Sequence, residues 1–338
     1  MSPVRALPAS YGDPAAEYEA VRQTVGVIDA GTPGILEVTG KDRAAFLHAM
    51  LSNDVKALSP GQGCRASFLD VHGKVQALLV LLALDDRILV VTPRAEDAPR
   101  LNEALDKYLF SEKAYFRDAT GESAAVLLAG PDAPALATRL AGGAPPEAAW
   151  SHVAATIDGV SARVVTGAAD TGGREVWLLV PAADGSRFVE AARAAGARPV
   201  GRAAWESLMI ESGTPVYGCD VDDTVLLPEI PLLPYVSYTK GCYIGQEVVV
   251  RIRDRGHVNR EFRGVLVDGD AVPEPGAAIG AGGRDVGRVT SATLSFGLKR
   301  PIALGYVRRE HAEPGAAVSV RIGDRDVPAT VSALPFAR

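Results

Sequence analysis

Near residue 262 the chain changes texture, and that change constrains its fold more than any other feature. Before it, helical and strand-like patterns alternate. After it come short apolar runs punctuated by Gly and Pro. The C-terminal stretch also repeats itself: Glu274-Pro275-Gly276-Ala277-Ala278 recurs as Glu313-Pro314-Gly315-Ala316-Ala317, and Arg284-Asp285-Val286 recurs as Arg325-Asp326-Val327. Each copy reads as a turn, a strand, a hairpin and a strand. That predicts a small β-barrel over 259–338.

The preceding region, 21–258, reads as two α/β lobes, and residues 1–20 as a loose lead-in. Residues 34–40 make a strand ending in a turn, and Asp42 stands at the N-cap of a helix carrying Phe46, Leu47 and Met50. Strands follow at 67–69, 75–84 and 88–91, then a helix at 97–109 with Leu101, Leu105, Tyr108 and Leu109 at helical spacing. A second stretch, 123–200, holds strands at 124–129, 162–166 and 176–180 and helices near 133–141 and 185–196. A helix over 203–210 leads to Glu211-Ser212-Gly213. The alternation defines the class as α+β or α/β and no further.

Composition removes several function classes. The formal charge is −6, from 35 basic and 41 acidic residues. A net negative chain is a poor generic polyanion binder, so direct nucleic-acid binding is disfavoured. Cys64, Cys219 and Cys242 are scattered and form no C-x-x-C pair, which speaks against a disulfide framework or a self-contained cluster site. The most apolar run, 77–84, is too short to span a membrane. A cytoplasmic monomer is the expectation. Asp220, Asp222 and Asp223 with Glu229 fail as a calcium loop, because Val225 stands where the turn glycine belongs and Pro231 where the bidentate Glu belongs. No metal site is expected, and no Walker A, G-x-S-x-G or H-E-x-x-H stretch occurs.

One stretch stands out chemically: Lys240-Gly241-Cys242-Tyr243-Ile244-Gly245-Gln246-Glu247. Glycines permit tight turns or close approach of a ligand. Lys240 is placed to stabilise a thiolate at Cys242, and Gln246 and Glu247 offer hydrogen bonds to a heterocycle. The alternative is a Gly-rich turn entering a helix with one structural cysteine. Downstream, Arg251, Arg253, Arg255, His257, Arg260 and Arg263 form a basic cluster, suited to an anionic tail or to solvent. Glu247 and Arg251 are spaced for an i, i+4 pair.

Lys-Gly-Cys-Tyr-x-Gly-Gln-Glu resembles the signature of the YgfZ family of folate-binding proteins, which look like the aminomethyltransferase (T-protein) of the glycine cleavage system. Supporting stretches are 40–47, Ser52-Asn53-Asp54-Val55, the turn Asp70-Val71-His72-Gly73-Lys74-Val75, and Glu211-Ser212-Gly213-Thr214-Pro215-Val216-Tyr217-Gly218 with Glu229. The resemblance implies a bilobal N-terminal region, a C-terminal β-barrel and a central pocket for tetrahydrofolate or a derivative. It implies that Glu211 reads the pterin. Tyr217, Glu229, Lys240, Gly241, Tyr243, Gly245, Gln246, Glu247, Arg251 and Arg260 would bind the cofactor, and Cys242 would carry redox or transfer chemistry. It also implies an accessory role toward iron–sulfur client or assembly proteins, including tRNA-modifying enzymes. A folate-dependent one-carbon transferase is the alternative. Against the alternative, aminomethyltransferases place an aspartate shortly after the strand matching 88–91. An ungapped comparison puts Pro99 there, with Asp97 nearby, so the expectation is a protein that is not an ordinary aminomethyltransferase.

Overall fold

The structure is a computed structural model that describes residues 7–337; residues 1–6 of the expected lead-in, and Arg338, lie outside the described residues. The lead-in contains a helix, α1 (Pro14–Gln23). Its local cause is plain in retrospect: Asp13 caps the N–H groups of Ala15 and Ala16, and Pro14 occupies the first helical position. β1 (Gly26–Asp29) follows.

The first lobe comprises β2 (Gly34–Thr39), α2 (Arg43–Met50), β3 (Gly63–Leu69), β4 (Val75–Ala83), β5 (Ile88–Thr92), α3 (Asp97–Asp106) and β6 (Tyr115–Asp118). Its sheet is antiparallel in the order β3-β4-β5-β2-β6. β4 reads as an almost unbroken apolar run because both of its faces are covered. Ala77 and Leu81 enter the lobe's core, while Leu78, Val80 and Leu82 line an internal cavity. Asp42 stands at the head of α2, but its carboxylate accepts from the Lys113 N–H rather than capping the helix.

The second lobe comprises β7 (Ser123–Ala129), α4 (Ala133–Ala141), β8 (His152–Ile157), β9 (Val160–Thr166), β10 (Glu175–Pro181), α5 (Gly185–Ala194), β11 (Arg198–Pro199) and α6 (Arg202–Ser212). β1 joins it, giving six strands in the order β11-β1-β7-β10-β9-β8. α6 runs to Ser212, so Glu211 lies in its last turn, and Gly213 closes the helix in the left-handed conformation (φ 70°).

α7 (Gln246–Arg255) follows the Lys240–Gly245 turn. Its Val248-Val249-Val250 run has weak helix propensity. Tertiary packing overrides this, with Val249 fully buried against the lobe–barrel core. Gly245 turns the chain into the helix at φ 78°, and a Cβ there would lie 2.5 Å from the Asp70 carbonyl oxygen, so only glycine fits.

β12 (Arg260–Val267), β13 (Ala278–Ala281), β14 (Arg284–Ser295), β15 (Arg300–Arg308), β16 (Ala317–Ile322) and β17 (Arg325–Ser332) close into a barrel in the order β12-β15-β14-β13-β16-β17. The repeated sequence units are its hairpins β13–β14 and β16–β17, and the two copies pair through Ile279 and Val320. Phe262, Ile302, Leu304 and Tyr306 from the barrel pack with Leu69, Val75 and Leu78 from the first lobe. Full burial of such side chains is worth about 1.5–3 kcal/mol each. The buried Asp220 secures the same joint, accepting from Thr290, Ser291 and the Val216 N–H. Its oxygens are therefore committed to the scaffold.

The molecule is thus a bilobal α+β region with a small C-terminal β-barrel. Among the described residues, no helix is long and apolar enough to cross a membrane.

Candidate active site

A cavity of about 190 Å³ opens between the two lobes. Its walls come from β3, β4 and β5 on one side and from β1, β9, β10 and α6 on the other. All three tryptophans of the chain, Trp150, Trp177 and Trp205, line it, together with Tyr217 and Tyr235. Convergence of every tryptophan on one apolar cavity is the usual composition of a ligand pocket.

Among the described residues that line the cavity, Arg65 and Asp170 alone are charged. Arg65 comes from β3 of the first lobe, and Asp170 from the β9–β10 loop of the second. They form an ion pair across the lobes. The guanidinium lies over the Trp150 ring at 5.0 Å and the Tyr235 ring at 5.4 Å. Cation–π contacts of this kind strengthen as water is removed. The Asp170 carbonyl is held by the hydroxyls of Ser212 and Thr214.

Behind Asp170 lies Glu175, 3% exposed. Its Oε1 accepts from the Thr171 N–H and hydroxyl, while Oε2 has no partner among the described residues. Burial first, and the nearby Asp170 charge second, push its carboxyl up to about 7.

The structure disperses the residues singled out in the sequence. Tyr217 reaches the cavity, and its hydroxyl accepts from Arg100 Nη2 at 2.7 Å. The other proposed binding residues are not among those lining it. Glu211 is 1% exposed and ringed by donors. Oε1 accepts from Ser207 (2.8 Å), Ser295 (2.7 Å) and the Gly297 N–H (3.1 Å). Oε2 accepts from Tyr18 (2.6 Å) and Arg22 (3.1 Å). Burial raises its pKa, but the hydrogen bonds from Tyr18, Ser295, Ser207 and Gly297 outweigh burial and hold the carboxyl below its usual range. Glu229 accepts from Arg260 Nε (3.0 Å) and caps a short 3₁₀ turn.

The Lys240–Glu247 stretch forms a clasp. Lys240 is buried, and its ammonium donates to the carbonyls of His48 and Leu51 at the end of α2. The Tyr243 ring lies 4.7 Å away. Burial lowers the Lys240 pKa to about 8, partly offset by Asp54, Cys64 and Cys242. Cys242, Gly241 and Glu247 are exposed. Glu247 and Arg251 form no ion pair among the described residues, although their spacing on α7 suits one. Asp97, which stands near the position expected for the transferases' aspartate, opens α3, where it is buried and held by Arg94 (Nε to Oδ2, 2.7 Å), while Thr92 at the end of β5 and Pro93 after it line the cavity.

Sequence reasoning missed Arg65, Asp170 and the tryptophans. Arg65 left no trace, because beyond it in β3 the residues of both parities, Ala66 to Leu69, are buried and alternation does not mark its face. Asp170 sits in a Gly- and Ala-rich loop and left none.

Comparison with known proteins gives one consistent picture. The profile "GCVT N-terminal domain" matches residues 6–240, and "Glycine cleavage T-protein C-terminal barrel domain" matches residues 260–337. The aminomethyltransferase of Thermosynechococcus vestitus is 30% identical, over 98% of this chain and 90% of its own length. That of Frankia alni is 33% identical, over 95% and 88%. The crystal structure of aminomethyltransferase T of the glycine cleavage system from Bartonella henselae has a TM-score of 0.87 at 22% identity. It covers 98% of this chain and 91% of that one, and shows the shared fold.

These matches correct four expectations. Similarity along nearly the whole chain runs to the aminomethyltransferases themselves, not to the YgfZ subfamily that the eight-residue stretch pointed to. Within that stretch Lys240 is tied to the end of α2, so a short motif there also answers to local packing and does not by itself separate subfamilies of one fold. The iron–sulfur accessory role falls with it, as do iron–sulfur clients and tRNA-modifying enzymes as partners. Among the described residues no group of three or more His, Cys, Asp or Glu is placed to hold a metal. The reservation about enzymatic identity falls too, since it rested on one short loop against matches covering 98% of the chain.

Proposed function

We propose that this chain, which belongs to the glycine cleavage T-protein family, is a folate-dependent one-carbon transferase of the aminomethyltransferase type. One observation carries the reading: an apolar cavity between the lobes, walled by every tryptophan of the chain and holding the Arg65–Asp170 ion pair. A pterin is a flat heterocycle with one polar edge, so aromatic walls and one polar couple are a fitting donor and acceptor set.

Tetrahydrofolate, when bound, supplies the amine nitrogens, one in the reduced pterin ring and one outside it, that accept a one-carbon unit. The residues of this chain bind, orient and exclude water. Trp150, Trp177 and Trp205 furnish the apolar walls, which strengthen any polar contact made inside. Tyr217 is fixed by Arg100, with Arg94 stacked on its ring at 5.6 Å. Thr92 and Pro93 bring the end of β5 and the start of the loop leading to Asp97 to the cavity wall. Orientation of this kind is the main lever of a transfer between two bound partners. The exposed arginines of α7 remain the proposed contact for the anionic tail of the folate.

The test is direct. Purified protein is titrated with tetrahydrofolate by calorimetry, then incubated with it and a one-carbon donor, either a lipoyl-bound aminomethyl group or a methylated amine. Saturable binding and one-carbon transfer are expected. No folate binding by the intact protein sinks the proposal; binding without transfer from either donor class sinks its catalytic half.

A further inference from the structure

We infer that the Arg65–Asp170 pair, and not Glu211, reads the polar edge of the bound pterin. This rests on the folate reading above. Counting donors decides between the two carboxylates. An ionised carboxylate has about four lone-pair sites. Glu211 already receives five hydrogen bonds, from Tyr18, Arg22, Ser207, Ser295 and Gly297. It lies outside the lining of the cavity, and no acceptor capacity is left for a ligand.

Asp170 is in the opposite state. Its Oδ2 takes the Arg65 guanidinium, and its Oδ1 takes no hydrogen bond among the described residues. Arg65 in turn makes one side-chain hydrogen bond, to Asp170, and its remaining N–H groups have no partner among the described residues. Both side chains are largely enclosed, at 10% and 15% exposure, and both line the cavity. The pair therefore presents a vacant acceptor beside vacant donors, in a cavity whose other described lining residues are uncharged.

The 2-amino-4-oxo edge of a pterin has the complementary set: two N–H donors beside one carbonyl acceptor. Asp170 suits the 2-amino group and the ring N–H; Arg65 suits the carbonyl. The rings of Trp150 and Tyr235 hold the guanidinium in place, so its fork is oriented before the ligand arrives. The two halves of the reader come from different lobes, so recognition depends on the lobes being docked as they are here.

The experiment crosses one ligand group with one residue. Dissociation constants are measured by quenching of the cavity tryptophans for 5-formyltetrahydrofolate and for its 2-desamino-2-methyl analogue. The proteins are wild type, Asp170→Asn and Glu211→Gln. In the wild type, loss of the 2-amino group is expected to weaken binding about 10- to 100-fold, the worth of a hydrogen bond to a charged partner. In Asp170→Asn the two ligands should bind within about threefold of each other. Glu211→Gln should keep the wild-type ratio, even if less of it folds, because a ratio does not depend on the folded fraction. A full ratio in Asp170→Asn, or a collapsed one in Glu211→Gln, overturns the assignment. Arg65→Lys keeps the ion pair but replaces the planar fork with a point charge. It should weaken both ligands about tenfold, the worth of roughly one charged hydrogen bond, and unchanged affinity there also counts against the pair. If the wild type binds neither ligand, the folate reading itself has failed; if it binds both but Asp170→Asn behaves as wild type, only this inference has.

Discussion

Glu211 and Asp170 share a wall. Ser212, the neighbour of Glu211, donates its hydroxyl to the Asp170 carbonyl, yet the two carboxylates sit in contrasting regions. Around Glu211, α1, α6 and the end of β14 tie a closed knot in which Tyr18, Arg22, Ser207 and Ser295 all donate. Around Asp170, the lobes leave a gap lined by rings, with one ion pair that faces it. A resemblance carried by sequence finds a carboxylate beside the right glycine. Only the number of donors already around it shows whether it is holding the fold or waiting for a ligand.

The largest effect should come from breaking the closed side. Glu211→Ala takes the carboxylate from the Arg22 guanidinium, 11% exposed and left with the Thr171 carbonyl as its acceptor, and strands the Tyr18 hydroxyl. Removing one partner of a buried ion pair costs about 3–5 kcal/mol. Denaturant unfolding at constant m-value reads this directly, and a loss below about 1 kcal/mol would show the knot to be ornamental. The pH dependence has a definite sign. The Glu211 carboxyl is held below its unfolded value, so its contribution is present above about pH 4.3 and disappears as pH falls through the folded pKa. Glu211→Gln should therefore flatten the acid limb of the stability curve.

A smaller effect of opposite sign belongs to the cavity side. The Glu175 carboxyl is raised to about 7 by burial and by Asp170. Between the unfolded value, about 4.3, and about 7, the native state binds more protons than the unfolded state, so stability falls as pH rises through that window. Glu175→Gln has no proton to lose. It should be more stable than wild type above pH 7, by on the order of 1–3 kcal/mol, and the two should converge near pH 4. A wild-type curve that is flat from pH 5 to 8 would show that Glu175 is not a strained acid. The cavity side would then be as well satisfied as the Glu211 side.

How much of this was legible in the chain follows from the range of the forces involved. The barrel was readable because its hairpins are local: the two Glu-Pro-Gly-Ala-Ala copies precede adjacent strands that pair at Ile279 and Val320. The sheet strands and most helices were readable from periodicity. α1 carries its start signal in Asp13, Pro14 and Glu17, yet a polar N-terminal stretch reads as loose until its partner α6 is known. α7 contradicts its own β-branched propensity and is held by tertiary burial of Val249. The cavity is the least legible part. Arg65 and Asp170 are 105 residues apart, so no window of sequence contains both.

The smallest effect tests whether the basic face of α7 belongs to either region. Arg251, Arg253 and Arg255 are exposed there. Arg253 is already engaged by Asp254 (2.6 Å) and lies over the Tyr238 ring at 4.4 Å, whereas Arg251 makes no ion pair among the described residues. An exposed cation holding a flexible polyanion gains little and is screened at physiological salt, where the Debye length is about 8 Å. Arg251→Ala should thus leave the affinity for monoglutamyl tetrahydrofolate unchanged. Affinity for a polyglutamyl form should drop by less than about fivefold, with the difference fading as salt is raised. Equal affinities for both forms in wild type and variant would make the face a solvated surface. The Asp170 cavity would then hold the whole of the binding energy, with no contribution from the anionic tail.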